Sequence, residues 1–359
     1  MQPVQRIRFS ERHVLGQSFL KMKILLLRFS SLGDVILTMP VARALVRAMP
    51  GASVDLGTKL EYRGLFTPAS PFTAVHYLDD AGALPFIKTV NEQGYDIIAD
   101  LHASLRTTAM MPLLKARVKK RYRNGAFTRR FFVGTGIKLS AFPTVLQRYL
   151  STFALTDIPG APWFALGKEE RRKGGLILKD AGIHKDRVIG FAPGAKWDTK
   201  KWDISRYAEL ARRLEDKAYD VIFVFGKGDE KDREMLLNIS PDFKILNTSG
   251  HNLRDIAYAI GTMDVFVSSD TGLMHLAEAA ATPLVAMFGP TTREFGFFPA
   301  GQKSIVLEKQ LVCRPCTVHG SEKCKQGGHT CMEDITVEDV ESAVLSLIDT
   351  VPAASAGMA

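Results

Sequence analysis

The sequence lacks the features that mark secreted, membrane-spanning or disulfide-rich proteins. None of its apolar runs approaches the roughly 18 residues that a spanning helix needs. Residues 1–21 contain no continuous apolar core of a secretory signal. Because Met22 and Lys23 directly precede the first predicted strand, we expect residues 1–21 to be a disordered leader, with an upstream choice of start as the alternative. Cysteine is absent outside residues 313–331. We therefore expect a protein of the reducing cytoplasm.

Acidic residues are absent from residues 101–156, where eleven Lys and Arg residues stand. Without these eleven the net charge of +9 would be −2, so the basic character of the chain is local. This pattern indicates a face that binds an anion, with a solvated helix face as the alternative. Nucleic acid, anionic lipid and a phosphorylated sugar are all compatible with such a face. The basic residues are Arg106, Lys115, Arg117, Lys119, Lys120, Arg121, Arg123, Arg129, Arg130, Lys138 and Arg148.

The sequence contains neither a Walker motif nor the full G-x-G-x-x-G fingerprint of dinucleotide-binding proteins. This absence disfavours a Rossmann oxidoreductase and a nucleotide-sugar epimerase. The stretch Phe225-Gly226-Lys227-Gly228-Asp229 does place glycines between a predicted strand and a predicted helix. We expect Gly226 to approach a base or a ribose at this turn.

Apolar, strand-like runs alternate with helix-length segments from Lys23 to Ala99, and the alternation resumes from Lys168. Such alternation predicts right-handed βαβ units and parallel sheets. A chain of 359 residues also exceeds what one core usually supports. We therefore expect an α/β fold with two Rossmann-like domains, residues 22–165 and 166–350, followed by a mobile tail at 351–359.

The first predicted strand runs from Ile24 to Leu27 into the tight turn Ser30-Ser31-Leu32-Gly33-Asp34. In open α/β sheets, ligands bind at the edge formed by the carboxyl ends of the strands. We expect Asp34 at an N-cap position with its carboxylate directed towards that edge, with simple capping as the alternative. His102 ends another predicted strand at the same edge. We expect it to contact a ligand, with a plain polar surface residue as the alternative.

Two stretches of the second half predict an anion site. Ser268-Ser269-Asp270-Thr271-Gly272 joins a buried strand to a helix, and the free N–H groups at a helix start attract anions. Residues 191–202 follow another strand and bring three lysines to the same edge, which suits a diphosphate. A plain helix cap is the alternative for the first stretch.

All four cysteines lie in the spacing C-x2-C-x7-C-x6-C, at Cys313, Cys316, Cys324 and Cys331. In a reducing compartment, clustered thiols indicate a metal site more than disulfides. The spacing is tighter than that of standard zinc ribbons, so four reduced, incidental thiols are equally compatible with it. We expect a structural zinc, with His319 and His329 as substitute ligands.

In combination, four stretches resemble glycosyltransferase family 9, the ADP-heptose:lipopolysaccharide heptosyltransferases. They are SSLGDVILTMP, the K-K-W ending of PGAKWDTKKW, SSDTGLMHLAEAAATPLVAMFGPT, and CRPC…C…CMEDIT. The resemblance extends from about Met22 to Ile348. It implies a GT-B architecture, in which two Rossmann-like domains face each other across a cleft, and a metal-independent transfer with inversion at the anomeric carbon. The cysteine-rich stretch resembles only some members, so it receives no catalytic role.

The resemblance also implies roles for individual residues in moving a heptose from ADP-heptose to the lipopolysaccharide inner core. Asp34 would be the general base, and Lys200 would contact the diphosphate. The other donor-binding residues would be Asp270, Thr271, Gly272 and His275, together with Gly226. The acceptor would bind the N-terminal domain at Ser31, Gly33, His102, Arg106, Lys120, Arg121, Arg123 and Arg130.

We expect catalysis without a cofactor, by a monomer that binds no nucleic acid and contacts the inner face of the inner membrane peripherally. One alternative is a family 9 transferase with another donor sugar or acceptor. Another is a non-catalytic RNA- or membrane-binding protein that uses residues 115–130. The second alternative explains the positive charge but leaves Asp34 and the second half of the chain without a role.

Overall fold

The computed structural model describes residues 22–67, 70–138, 142–160, 163, 166–299, 301 and 303–350. The predicted leader at 1–21 and the predicted tail at 351–359 lie outside the described residues, so both stay predictions. Among the described helices, none combines the length and the apolar character that crossing a bilayer requires.

Strands and helices alternate along the described chain. The strands are β1 (Lys23–Leu27), β2 (Ser53–Lys59), β3 (Val75–Leu78), β4 (Tyr95–Asp100), β5 (Ala116–Arg121), β6 (Val188–Ala192), β7 (Asp220–Phe225), β8 (Lys244–Asn247), β9 (Val265–Ser269), β10 (Leu284–Phe288) and β11 (Ser304–Glu308). The helices are α1 (Leu32–Ile36), α2 (Thr38–Ala48), α3 (Ala83–Glu92), α4 (Leu105–Met110), α5 (Ala126–Thr135), α6 (Val145–Ser151), α7 (Lys168–Asp180), α8 (Ile204–Glu215), α9 (Glu230–Ile239), α10 (Leu253–Gly261), α11 (Gly272–Ala279), α12 (Thr330–Glu333) and α13 (Val337–Thr350).

The chain forms two compact units. The first contains the described residues up to Gly125 and from Pro143 to Gly160, and the second contains the other described residues. Helix α5 belongs to the second unit, where Phe132 packs edge-on against Phe295 with ring centroids 6.4 Å apart. The domain limits expected from the sequence, 22–165 and 166–350, stay predictions.

The first unit is built on a five-stranded sheet in the order β3-β2-β1-β4-β5. Neighbouring strands pair in parallel throughout this sheet. Ile24 to Leu27 are completely buried in its centre, as expected for an apolar strand covered on both faces. The chain turns to opposite sides of β1 to form β2 and β4, so a topological switch point lies between the ends of β1 and β4. Ligands bind at such points in open α/β sheets.

The second unit carries a six-stranded sheet in the order β11-β10-β9-β6-β7-β8. Its strands are also paired in parallel. Every residue of β6, β7, β9 and β10 is buried, so the apolar runs of the sequence form the core. The switch point of this sheet lies between the ends of β6 and β9.

The observed elements differ from the predicted ones at two places. The helix expected to start at Asp34 is broken at Leu37 into α1 and α2. Pro40, the third residue of α2, has no N–H to bond to the carbonyl of Ile36, so a continuous helix would lose that hydrogen bond. Strand β5 was not foreseen, because its sequence ARVKKR shows no apolar alternation. It forms an edge of the sheet, where charged side chains remain in water and discourage pairing with other chains.

Candidate active site

Asp34 lies at the switch point of the first sheet, in the turn that follows β1. The prediction of an N-cap position was wrong, because Ser31 is the N-cap of α1 and Asp34 is the third residue of the helix. The backbone N–H and the hydroxyl of Ser31 donate to Oδ2 of Asp34, at 3.3 and 2.8 Å. In this capping box, the carboxylate bonds back to the cap residue. Asp34 is nevertheless buried, at 9% exposure, whereas a simple cap is normally in water.

Arg28 is the charged partner of Asp34. One guanidinium nitrogen lies 2.6 Å from Oδ2 of Asp34, and the other donates to the carbonyl oxygen of Leu101 at 2.7 Å. Leu101 directly follows β4, so Arg28 joins the ends of β1 and β4. Burial alone would lower the pKa of Arg28, but the nearby Tyr149 and Asp34 raise it above its ordinary value. The guanidinium therefore stays charged beside the carboxylate.

Two tyrosines complete the surroundings of this ion pair. The hydroxyl of Tyr149 lies 3.4 Å from Oδ1 of Asp34, and its ring lies 5.8 Å from the Arg28 guanidinium. Burial raises the pKa of Tyr149 well above its usual value. Burial also raises the pKa of Tyr62, and its hydrogen-bonded neighbour Glu61 and then Asp34 add to the effect. Both phenols are therefore protonated at neutral pH. The Tyr149 hydroxyl offers a hydrogen-bond donor to the Asp34 carboxylate.

His102 lies at the same sheet edge, as predicted, and its ring packs edge-on against Phe29 at 5.8 Å. Its backbone N–H donates to Asp100, which also accepts from Ala103. Burial and the charge of Arg28 lower the pKa of His102 to about 4, against the opposing effect of Asp100 and Asp34. The imidazole is therefore neutral at physiological pH. Its Nδ1 is buried without a hydrogen-bond partner among the described residues.

A cavity of about 700 Å³ opens at the ends of β2 and β3 in the same unit. Arg106, one of the predicted acceptor-binding residues, is exposed in its lining. Three carboxylates also line the cavity, which sequence reasoning did not foresee. They are Glu61, Asp79 and Asp80, and Lys59 pairs with Glu61 at 3.3 Å.

The other basic residues predicted to bind the acceptor lie on different elements of the structure. Lys120 and Arg121 lie on β5, and Arg121 lies 3.4 Å from the buried carboxylate of Asp100. Arg123 is exposed just after β5, and Arg130 is exposed on α5, which belongs to the second unit. Arg129 is buried and so differs from its neighbours.

The second candidate centre lies at the switch point of the second sheet. Lys200 follows β6 and ends a short 3₁₀ helix, while Asp270 directly follows β9. The structure brings these two predicted residues together, with Nζ of Lys200 2.6 Å from Oδ2 of Asp270. The hydroxyl of Thr291, which follows β10, donates to the same oxygen at 3.1 Å. The centre therefore holds one half-buried cation, one carboxylate and one hydroxyl.

Thr271, Gly272 and His275 belong to the helix that starts beside Asp270. Thr271 is the N-cap of α11, and its hydroxyl accepts from Met274 N–H at 3.4 Å. Gly272 opens the helix, whose N-terminus carries the positive end of the helix dipole. His275 is buried within α11, with Nδ1 3.7 Å from a carboxylate oxygen of Glu278.

Gly226 follows β7 at the same sheet edge. Its N–H donates to the carboxylate of Asp229 at 2.7 Å, so this turn is closed by its own side chain. A Cβ built on Gly194 would come within 2.2 Å of that carboxylate. Gly194 therefore allows the residues after β6 and β7 to approach closely.

The four cysteines are unpaired, and Cys331 is buried while the other three are partly exposed. Among the described residues, no three His, Cys, Asp or Glu side chains form a group that could hold a metal ion. Burial raises the pKa of Cys331 to about 11, and the pKa of Cys316 is also raised by burial and by the neighbouring thiols. The arrangement of the described side chains therefore gives the predicted zinc no support.

Sequence reasoning missed Arg28, Tyr149 and Thr291. The sequence did contain a signal for Arg28, because this charged residue directly follows an apolar strand and begins the turn that leads to Asp34. The signal for Thr291 was weaker: this residue follows β10, the strand beside β9 in the sheet. Tyr149 had none, because it reaches Asp34 from a helix that is 115 residues away in the sequence.

Comparison with known proteins agrees with this geometry. Residues 83–326 match the family described as glycosyltransferase family 9 (heptosyltransferase). Lipopolysaccharide heptosyltransferase 2 of Salmonella typhimurium is 28% identical over 350 residues, which cover 91% of this chain and 99% of that protein. The structure of Escherichia coli ADP-heptose lps heptosyltransferase II is similar, with a TM-score of 0.72, 21% identity, and coverage of 91% of this chain and 98% of that one. A family 9 glycosyl transferase from Veillonella parvula also has a TM-score of 0.72, at 20% identity, with coverage of 92% and 98%. These likenesses confirm the predicted GT-B fold class.

Proposed function

This chain belongs to glycosyltransferase family 9, and on that premise we propose that it moves a heptose from ADP-heptose to the inner core of lipopolysaccharide. The names of the similar Salmonella and Escherichia coli proteins support this choice of donor and acceptor. The observation that carries the proposal is the presence of two centres in one chain. One is a buried carboxylate at the switch point of the first sheet, and the other is a lysine beside a helix start at the switch point of the second sheet. An RNA- or membrane-binding protein would need neither centre.

Asp34 acts as the general base in the proposed reaction. A sugar hydroxyl of the acceptor attacks the anomeric carbon of the donor, and its proton passes to the Asp34 carboxylate. The bond between the anomeric carbon and the diphosphate oxygen breaks, and its electron pair leaves with ADP. Oδ2 is held by Arg28 and Ser31, so we assign the proton to Oδ1, which faces the Tyr149 hydroxyl. Direct displacement from the face opposite ADP inverts the anomeric carbon.

Lys200 and the start of α11 stabilise the departing diphosphate. Negative charge develops on the diphosphate oxygen as the bond breaks, and a cation close to a helix N-terminus opposes that charge. Lys200 pairs with Asp270 in this structure, so the ammonium is held close to the helix start. Thr271, Gly272 and His275 complete the donor site with Gly226. This arrangement assigns charge stabilisation to the chain's own residues and requires no metal ion in catalysis.

The acceptor occupies the first unit in this proposal. His102, Ser31 and Gly33 lie around Asp34, and Arg106 lines the neighbouring cavity. Lys120, Arg121 and Arg123 follow on β5 and just after it, and they attract the anionic groups of the core. Arg130 lies on α5 of the second unit and is therefore left out of this first-unit site. The same exposed positive charge supports a peripheral contact with the inner face of the inner membrane. We propose a cytoplasmic monomer that binds no nucleic acid.

A structural zinc at Cys313, Cys316, Cys324 and Cys331 is a separate proposal, and it rests on the spacing of the thiols alone. Zinc would replace the thiol protons, because a coordinating thiol is deprotonated by the metal. It would crosslink the segment without taking part in the transfer.

The proposed function is tested by product analysis. The purified protein is incubated with ADP-heptose and with inner-core lipopolysaccharide that carries either no heptose or one heptose. We expect mass spectrometry to show the gain of one heptose on one of these acceptors, with an equal amount of ADP released. ADP-glucose in place of ADP-heptose is the donor control. Transfer from ADP-glucose alone, or ADP release without a sugar gain on either acceptor, contradicts the proposal.

A further inference from the structure

The cysteine-rich segment, residues 313–331, has no assigned role in the transfer itself. It nevertheless contacts two parts of the second candidate centre: the residue before Lys200 and the loop that bonds to Asp270. We propose that this segment is a positioning element that holds Lys200 and Asp270 in place for the donor diphosphate. The inference rests on the proposed function for the assignment of these two residues to the diphosphate. The two contacts are made by different residues of the segment, and neither uses a cysteine side chain.

The first contact is a short ladder between Ser321 and Thr199, the residue that precedes Lys200. The N–H and the hydroxyl of Thr199 both donate to the carbonyl oxygen of Ser321, at 3.2 and 2.8 Å. The N–H of Ser321 donates back to the Thr199 hydroxyl at 2.9 Å. Thr199 is 3% exposed, so these bonds are shielded from water. They fix the 3₁₀ turn that carries the lysine.

The neighbour of Ser321 closes this contact. Gly320 has a φ of +104°, and a Cβ at this position would lie 2.7 Å from the Trp197 side chain. Only glycine allows both the backbone angle and this approach. The segment therefore packs against Trp197, the residue that precedes the 3₁₀ helix Asp198–Lys200, as well as bonding to Thr199.

The second contact is made by Arg314, whose side chain is 3% exposed. Its guanidinium donates to the carbonyl oxygens of Gly289 and Lys309, and to that of Thr291 at 2.8 Å. It also pairs with Glu308 at 2.9 Å. Arg314 thereby fixes the loop after β10. The hydroxyl of Thr291 in that loop bonds to Asp270, so the second contact ends at the carboxylate that holds Lys200.

The two contacts converge on one ion pair, one at the lysine and the other at the carboxylate. A free lysine side chain has considerable rotamer entropy, part of which is lost when it binds a phosphate. A lysine that is already held near its working position loses less on binding, which raises affinity without any new ligand contact. The segment should therefore affect the affinity for the phosphates of the donor and leave the affinity for its nucleoside nearly unchanged.

The test compares ADP with adenosine by isothermal titration of the full-length protein. Thr199→Val keeps the shape of the side chain but removes the hydroxyl, so it breaks two rungs of the ladder. We expect ADP to bind about fivefold more weakly or worse, the effect of about one lost hydrogen bond, with adenosine affinity unchanged. Thr199→Ser keeps the hydroxyl and should restore ADP binding. Ser321→Ala is the matched control, because its hydroxyl bonds to Lys323 within the segment and its backbone ladder remains.

Two results overturn the inference. One is wild-type ADP affinity in Thr199→Val, and the other is an equal loss of ADP and adenosine affinity. Lys200→Ala in the same titration separates this failure from a failure of the proposed function. If Lys200→Ala weakens ADP binding while Thr199→Val does not, the diphosphate site stands and the positioning role is wrong. If Lys200→Ala has no effect on ADP, the diphosphate assignment itself is wrong.

Discussion

Arg28 and Asp34 form a buried ion pair, 2.6 Å apart, in which the two side chains are 9% and 11% exposed. Such a pair is not simply a source of stability, because the cost of taking both charges out of water offsets most of their attraction. Its effect on chemistry is clearer. The guanidinium favours the ionised carboxylate, and the second bond of Arg28, to Leu101, fixes the direction of the pair. Asp34 is thus held ready to accept a proton.

Asp34→Asn should abolish most turnover and also destabilise the protein. Loss of a general base lowers kcat by roughly 100-fold or more. The buried guanidinium of Arg28 loses its counter-ion as well, so we expect the free energy of unfolding to fall by about 3 kcal/mol. Steady-state kinetics and denaturant titration measure the two effects. ADP affinity should stay at the wild-type value, because Asp34 is not in the donor site.

Asp55→Asn is the matched control for this variant. Asp55 is a buried carboxylate of the same sheet, and it accepts a hydrogen bond from the Tyr95 hydroxyl at 2.7 Å. It should lose stability and keep kcat. A near-wild-type kcat in Asp34→Asn, or an equal loss of kcat in Asp55→Asn, removes the base assignment.

The order of elements around Asp34 could be predicted, but its surroundings could not. Apolar runs and their spacing indicated β1, β4 and the turn between β1 and α1. The N-cap prediction failed because Ser31 and Asp34 both suit a helix start, and only the backbone shows which of them is the cap. Tyr149 comes from a distant helix, and local sequence patterns carry no information about such contacts.

Lys200→Ala should weaken ADP binding by about 1–3 kcal/mol, the scale of a charge-assisted hydrogen bond. Lys201→Ala is the matched control, because the neighbouring ammonium is held 3.0 Å from both Asp198 and Asp232. Isothermal titration with ADP measures both. Equal affinity losses in the two variants would show a general effect of the turn and not a phosphate contact of Lys200.

Charge reversal at the exposed basic residues should raise the acceptor KM. Arg106→Glu and Arg123→Glu each remove an exposed cation from the first unit and leave donor affinity near the wild-type value. Arg121 is less suitable, since a glutamate there would lie close to the buried Asp100. Lys88→Glu on α3 is the control, because it changes the net charge equally at another exposed site. The same rise in KM in the control would indicate net charge and not a local site.

Metal analysis decides the role of the four cysteines. If they hold a structural zinc, protein purified without chelator should contain about one equivalent, because four thiolates bind zinc tightly. Replacing Cys316 with serine should then lower both the zinc content and the thermal stability. Less than about a tenth of an equivalent favours reduced, incidental thiols.

His102 should make the protein less stable in mild acid. Burial and the nearby Arg28 lower its pKa from 6.5 to about 4, so between these values the unfolded chain binds a proton that the folded chain does not. Stability from this group is therefore present above about pH 6.5 and is lost as the pH falls towards 4. Between pH 7 and pH 4.5, the free energy of unfolding should fall by about 1–2 kcal/mol less in His102→Gln than in the wild type. The difference is smaller than the full pKa shift implies, because the ring keeps partial contact with solvent. Denaturant titration at the two pH values measures the difference. Other titrating groups cancel in this comparison, so parallel pH profiles for the two proteins would show that the imidazole is not held neutral beside Arg28.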